Sequence, residues 1–489
     1  MTPTPPPSPS PRPSVDRPWA MLATVCLAQL MIVLDATIVN VALPTIQDDL
    51  GFSSSALTWV VNAFLISFGS LLLLAGRLGD LVGRRTIFLS GVVVFTVASL
   101  LCAVAPSGGA LVAARFLQGV GAAAQASVIL AIIVTNFRPG PDQARAMSAY
   151  VFVSVAGGSL GLLAGGLLTE ALSWHWIFLV NAPIGLATVL LGRRFVPRDR
   201  GLGLGHHVDW AGAALVTTSL MVGIAAIVQV STHGWLSTPV LGLAALAAVL
   251  MAAFVSLERR IAEPIMPLRI LAVRGVVQAN AVRSLLVVGM YSTFFLGTLY
   301  LERVRGLGPI ETGAAFLPWT LTVAVLSRGV TTRLVERFGP YPVLLGGMSS
   351  ATVGLFLFST AGTQTAFFPT VFLACFAIGL GIGSAFQPLL TIAMAGVPRQ
   401  DAGLGSGVTN VSQQVAGALG VAVLSTIADD HTAGLVEAGG ALKPSLVAGY
   451  QLAFTVAAAV AATGVLLAAV LLRPRPVSRT EPIPTLETA

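Results

Sequence analysis

A single carboxylate, Asp35, stands inside an apolar run from Trp19 to Pro44, with Thr37 and Asn40 close behind it. Such a run is long enough to cross a bilayer. At about 1.5 Å per residue, Asp35 lies about 24 Å from the Trp19 end and about 14 Å from Pro44. A charge at that depth costs roughly 2.5–3.5 kcal/mol, which a chain tolerates where the group faces a cavity and does chemistry. The chemistry that fits is binding and release of a proton. Arg115 lies in a later apolar run, in Arg115-Phe-Leu-Gln118-Gly119-Val-Gly121, with Gln125 further on. Its side chain either snorkels to water or points inward at a depth like that of Asp35. An arginine that approached in one conformation and left in another would switch how tightly the acid holds its proton. Asp35 and Arg115 are therefore the expected proton-coupling pair.

Two loops carry a second kind of chemistry. Gly76-Arg77-Leu-Gly-Asp80-Leu-Val-Gly83-Arg84-Arg85 holds an acid that can meet an arginine or a helix N-terminus. Such a contact would latch one conformation and break in another. Arg333-Leu-Val-Glu336-Arg-Phe-Gly339 repeats the pattern Arg-Leu-x-acid-x-x-Gly in the second half of the chain. Gly157, Gly161 and Gly165, with Gly166 beside them, recur at intervals of four. That spacing makes one helix face, for tight packing or for a smooth hinge surface. Polar residues inside apolar runs complete the set: Asn62, Gln125, Asn280, Arg283, Tyr291, Gln387, Asn410 and Gln413 join Thr37 and Asn40 as candidate cavity residues. Arg283 either snorkels or faces inward. Asn410 and Gln413, three apart on one face, either line a cavity or tie helices together.

The elements that must position these residues are transmembrane helices. Of 489 residues, 55% are hydrophobic and 10% charged, where a soluble protein carries about 25% charged. Fourteen apolar spans are expected, near 19–44, 55–75, 86–105, 109–135, 145–169, 175–192, 209–230, 238–257, 275–301, 310–328, 341–361, 366–394, 402–427 and 448–472. They lack the alternation of membrane strands. Arginines crowd the loops on one side, while Arg303, Arg305 and Lys443 are all that the other side holds. The positive-inside rule then puts both termini in the cytoplasm. The net charge of +7 is scattered through short loops, so nucleic acid is not expected as a partner. Residues 1–18, rich in proline and serine, are expected to be a disordered tail and not a cleaved signal peptide. Cys26, Cys102 and Cys375 are too dispersed for a disulfide framework or a metal site, and no metal or cofactor is expected. No G-x4-G-K-[ST] loop occurs, so the chain carries no ATPase of its own. No nucleophile motif points to an enzyme. Asp35 is the one acid placed deep in a span.

Taken together, Leu34–Pro44, Gly76–Arg85, Arg115–Gly121 and Gly157–Gly166 resemble motifs of the major facilitator superfamily, in its fourteen-helix drug:proton antiporter branch. The resemblance runs from about Trp19 to Arg473. Leu162 stands where the branch's fifth-helix motif has proline, which puts the usual kink in doubt. Gly79 replaces a more usual alanine. The resemblance implies an all-α integral membrane protein: two six-helix bundles, at 19–194 and 275–472, with a linker and two inserted helices at 195–274 and a tail at 473–489. It implies proton-driven export of amphipathic small molecules across a bacterial cytoplasmic membrane, with no obligate protein partner. A proton-coupled uptake carrier of the same fold and a narrow-specificity metabolite exporter are the alternatives.

Overall fold

The computed structural model describes residues 17–52, 54–199, 201, 203, 209–261, 273, 275–395, 397–398 and 401–473. The expected tails therefore lie almost wholly outside the described residues, as do the side chains of Asn40 and Leu162. Among the described residues every regular element is helical. The first half holds α1 (Pro18–Leu50), α2 (Ser54–Val82), α3 (Arg84–Ala103), α4 (Gly108–Asn136), α5 (Pro141–Ala171), the short α6 (Trp176–Leu179) and α7 (Asn181–Phe195). Next come α8 (Trp210–His233) and α9 (Thr238–Glu258). The second half holds α10 (Val276–Leu299), α11 (Pro309–Ala315), α12 (Leu317–Val325), α13 (Thr331–Phe338), α14 (Pro340–Ser359), α15 (Phe372–Ala395), α16 (Ala402–Glu437) and α17 (Leu442–Leu471). Among the described residues, thirteen spans are long and apolar enough to cross a membrane, and fourteen when the bent α5 counts as one.

Local sequence sets the helix ends. Ser107 caps α4 by accepting from the backbone N–H of Ala110 at 3.3 Å, and Asp209 caps α8 through Gly212 at 2.8 Å. Gly83, with φ +113°, makes the sharp turn from α2 into α3. In α5 the segments Pro141–Gly158 and Leu163–Ala171 meet at 41°. The bend that Leu162 put in doubt is present without a proline. Gly157 and Gly158 adjoin the break, and glycines leave a helix little side-chain support.

Packing follows small residues, because lipid offers no hydrophobic drive for helices to associate. A Cβ added at Gly91 of α3 would lie 2.8 Å from the Gly121 carbonyl of α4. At the corresponding place in the second half, one added at Gly347 of α14 would lie 3.0 Å from the Gly381 carbonyl of α15. Within the first half α1 packs on α5 and α7, and α2 and α3 pack on α4; within the second, α10, α14, α16 and α17 pack together. The pair α8–α9 leans through α8 on α2 and α16. The halves meet where α2 and α4 touch α16, and where α5 touches α11, α12 and α15.

Candidate functional site

Asp35 is fully buried, and its carboxylate accepts three hydrogen bonds from two other helices. Arg115 Nη1 donates to Oδ2 at 2.6 Å. Gln118 Nε2 and Asn181 Nδ2 donate to Oδ1 at 2.7 and 2.9 Å. Arg115 and Gln118 lie three apart on α4, so one helix face presents both. Arg115 also donates from Nε to the Val60 carbonyl at 2.9 Å and from Nη1 to Gln118 Oε1 at 2.6 Å. Its guanidinium carbon sits 4.5 Å from the Phe64 ring centroid. Ser99 of α3 closes the network by accepting from Gln118 at 2.8 Å.

Arg115 therefore points inward and does not snorkel. In this conformation the carboxylate faces protein, not an open cavity. The charges neutralise each other, which is the arrangement that makes a buried ion pair tolerable. Protonating Asp35 would leave Arg115 as an uncompensated buried cation and would favour moving α4 relative to α1.

The glycine face of α5 packs on the same stretch of α1. A Cβ at Gly157 would meet Val33 at 3.0 Å, one at Gly161 would collide with the Thr37 hydroxyl, and one at Gly165 would lie 2.9 Å from the Ile38 carbonyl. Gly166 is buried beside them. Thr37 bonds back to Val33 and Leu34 of its own helix. It thus belongs to the α1–α5 contact and stands apart from the Asp35 network.

Asp80 joins the two halves. Its carboxylate accepts from the backbone N–H groups of Gly403 and Leu404, both at 2.9 Å, at the N-terminus of α16. Orphan N–H groups and the helix dipole favour an anion there. Arg84 pairs with Asp80 at 2.9 Å, and Arg77 approaches Asp401 at 3.8 Å. Asp199 holds the backbone N–H groups of Arg84 and Arg85 at 2.7 and 3.1 Å. Gly76 lets the backbones touch: a Cβ there would be 2.5 Å from the Gly403 carbonyl. The second copy of the motif makes no such contact. Arg333 and Glu336 are exposed, and no described residue pairs with either. The path from α12 breaks at Arg328–Gly329, where Gly329 takes φ +99°, and α13, with Gly339 at its end, packs against α5 of the first half without an ion pair among the described residues.

The remaining polar residues divide. Arg283, Tyr291 and Gln413 cluster, with Gln413 Nε2 donating to Tyr291 Oη at 3.4 Å. Asn410 crosses between halves to the Ala126 carbonyl at 3.2 Å. Asn280 bonds to Val276 of its own helix, and Gln387 reaches Thr391 at 3.5 Å. Gln125 is fully buried, with neither amide atom partnered among the described residues. Asn62 is half-buried and joins no cluster. Sequence reasoning missed Asn181, Ser99 and the Val60 carbonyl. Only Asn181 carried a signal, as an amide at the start of an apolar helix. Asp80, Glu258 and Asp401 are also buried by the protein, so Asp35 is set apart by membrane depth and not by burial alone.

Replacing Asn181 with leucine keeps the branched shape of the side chain and removes one bond to the charged acceptor. Such bonds contribute about 1.5–3 kcal/mol, so transport is expected to fall roughly tenfold or more at unchanged membrane expression. Initial transport rates in vesicles measure this. A rate equal to wild type would remove Asn181 from the site.

The chain can be set beside known proteins at this point. It is 40% identical over 470 residues to the puromycin resistance protein pur8 of Streptomyces alboniger, covering 95% of this chain and 92% of that one. It is 34% identical over 416 residues to the cephamycin export protein CmcT of Amycolatopsis lactamdurans, covering 84% and 85%. Among solved structures, the human organic anion transporter MFSD10 superposes with a TM-score of 0.64 at 16% identity, over 92% of this chain and 99% of that one. The proton:xylose symporter XylE superposes with a TM-score of 0.62 at 14% identity, over 91% and 95%. These two likenesses establish the fold alone. The family model described as Major Facilitator Superfamily matches residues 25–421. With its fold, its apolar helices and its relatives in agreement, the chain belongs to the Major Facilitator Superfamily, as a multi-pass membrane transporter of small molecules.

Proposed function

We propose that the protein is a proton-coupled antiporter that exports amphipathic small molecules by alternating access from a bacterial cytoplasm. The observation that carries this reading is the sealed Asp35–Arg115 pair at 2.6 Å, deep within α1 and α4. A proton arriving at Asp35 cancels the charge that holds Arg115, and the first half repacks. Substrate entering from the cytoplasm favours the state in which that proton leaves. The residues 19–194 and 275–472 serve as the two moving bundles, with α8 and α9 carried between them. Asp80 and the N-terminus of α16 latch the arginine-rich face, which this reading places in the cytoplasm with both termini. A membrane potential contributes about 2.3 kcal/mol per charge per 100 mV, enough to drive accumulation. The roles for which these relatives are named, puromycin resistance and cephamycin export, support the outward direction.

The test is loading cells that lack their own pumps with rhodamine 123 and following its loss. Efflux that exceeds the empty-vector control and stops with a protonophore is expected. Dye accumulation stimulated by external acid would mean an uptake carrier instead.

A further inference from the structure

The second half contains a buried cation that the proton cycle does not use. Arg283, on α10, is 2% exposed. Its Nη1 donates to the Thr409 carbonyl at 3.0 Å, and its Nη2 donates to Gln413 Oε1. The guanidinium carbon lies 4.8 Å from the Phe386 ring centroid. Nε–H has no partner among the described residues. No described carboxylate pairs with it either; the ionisable groups within electrostatic reach are the phenols of Tyr150 and Tyr291. The contrast with Arg115 lies within one chain. Arg115 is equally buried, yet it has a carboxylate at 2.6 Å and a carbonyl on its Nε.

A guanidinium is always charged and carries five N–H donors. Two protein acceptors and an aromatic face meet only part of its demand. Burying a cation without an anion is costly, and an orphaned N–H adds to that cost. The place is also where the halves meet: Tyr150 comes from α5, and Arg283, Phe386 and Gln413 come from α10, α15 and α16. Nearby polar atoms of the second half are unpartnered as well, namely Asn280 Oδ1, Gln387 Oε1 and Thr409 Oγ1. A planar guanidinium whose Nε–H is unengaged suits an oxyanion as its further acceptor. The rings of Phe386, Tyr150 and Tyr291 suit an aromatic or otherwise apolar body.

Resting on the transport reading, we propose that Arg283 is the recognition group for a carboxylate on the transported molecule, so that this protein favours amphipathic acids over their neutralised or cationic counterparts. Asp35 then handles the proton on one half while Arg283 handles the substrate's charge on the other. The two functions occupy different helices and can be separated by mutation.

The experiment uses a matched pair of dyes, rhodamine 110 and its methyl ester rhodamine 123, which differ in one free carboxylate. Binding is read by fluorescence polarisation on the full chain in lipid nanodiscs, with no proton gradient. Wild type is expected to bind the acid at least tenfold more tightly than the ester. Arg283→Gln should bring that ratio near one, and Arg283→Lys should keep part of it. The inference is overturned by a wild-type ratio of one or below, by failure to bind the acid at all, or by an Arg283→Gln protein that keeps the preference. Because the wild-type ratio decides by itself, a variant that fails to fold does not rescue the idea. Protonophore-sensitive efflux is measured separately. Efflux of the ester with a binding ratio of one would sink this inference and leave the transport reading standing. An arginine-dependent preference without gradient-driven efflux would do the reverse.

Discussion

Asp35→Asn is expected to reduce gradient-driven transport to the background of empty membranes while leaving the protein in the membrane. The asparagine amide keeps one acceptor oxygen, enough for Arg115 or for Gln118 and Asn181 but not for both sides, and its NH2 faces the remaining donor. What it removes is the charge and the proton. Arg115, 1% exposed, is then a buried cation with no counter-ion. Breaking one member of such a pair costs about 3–5 kcal/mol. Two effects are therefore superposed, loss of coupling and loss of stability, and a second variant separates them. Asp35→Asn combined with Arg115→Gln removes both charges and leaves a neutral hydrogen-bonded cluster. The double variant should recover much of the thermal stability lost by the single one, a positive coupling in a double-mutant cycle. It should recover none of the transport, since no carboxylate remains in the cluster. Rhodamine 123 efflux with and without a protonophore, beside melting curves of the purified chains, gives both readings. Pumping by Asp35→Asn at the wild-type rate would move coupling elsewhere in the molecule.

Much of this site was legible before any coordinates. A lone acid within an apolar run, an arginine within another, and an acid between glycines each announce themselves because the bilayer makes such placements costly. What a sequence does not announce is which of them meet. Asn181 lies 146 residues along the chain from the carboxylate it serves, and no spacing rule spans that distance. The partners of Asp80 in the other half are two backbone N–H groups, which no side-chain pattern can mark. The repeated loop shows the opposite failure. Its residue types match the first copy and α13 reaches α5 of the other half, yet Glu336 stays exposed, with no ion pair among the described residues. A repeat in sequence gives equivalent positions in the fold, whereas a latch needs equivalent neighbours as well. The bend of α5 teaches a similar point, since it occurs beside Gly157 and Gly158 with no proline there.

Gly403→Val is expected to hold the arginine-rich face open. At this position a Cβ would collide with the Gly76 carbonyl and lie 2.7 Å from Asp80 Oδ1. The first of these neighbours is backbone and cannot rotate aside. Gly407, one turn on, is also tight, with a Cβ there 2.9 Å from the Leu72 carbonyl. Closure of α2 on α16 thus depends on glycine at several successive turns. Overpacking a close contact costs about 1–3 kcal/mol, which lowers the closed population by roughly 5- to 150-fold. Each half keeps its own core, because Gly76 and Gly403 belong to different halves, so the chain should still fold. The opening is measured with spin labels at Arg138→Cys and Arg337→Cys, exposed positions on opposite halves of that face. Cys26, Cys102 and Cys375 are buried and leave the background low. The inter-label distance should shift to longer values in Gly403→Val, and transport should fall with it, since alternating access needs both faces to close in turn. An unchanged distance with unimpaired transport would show that α2 and α16 part elsewhere, and that the Asp80 contact does not govern the cycle.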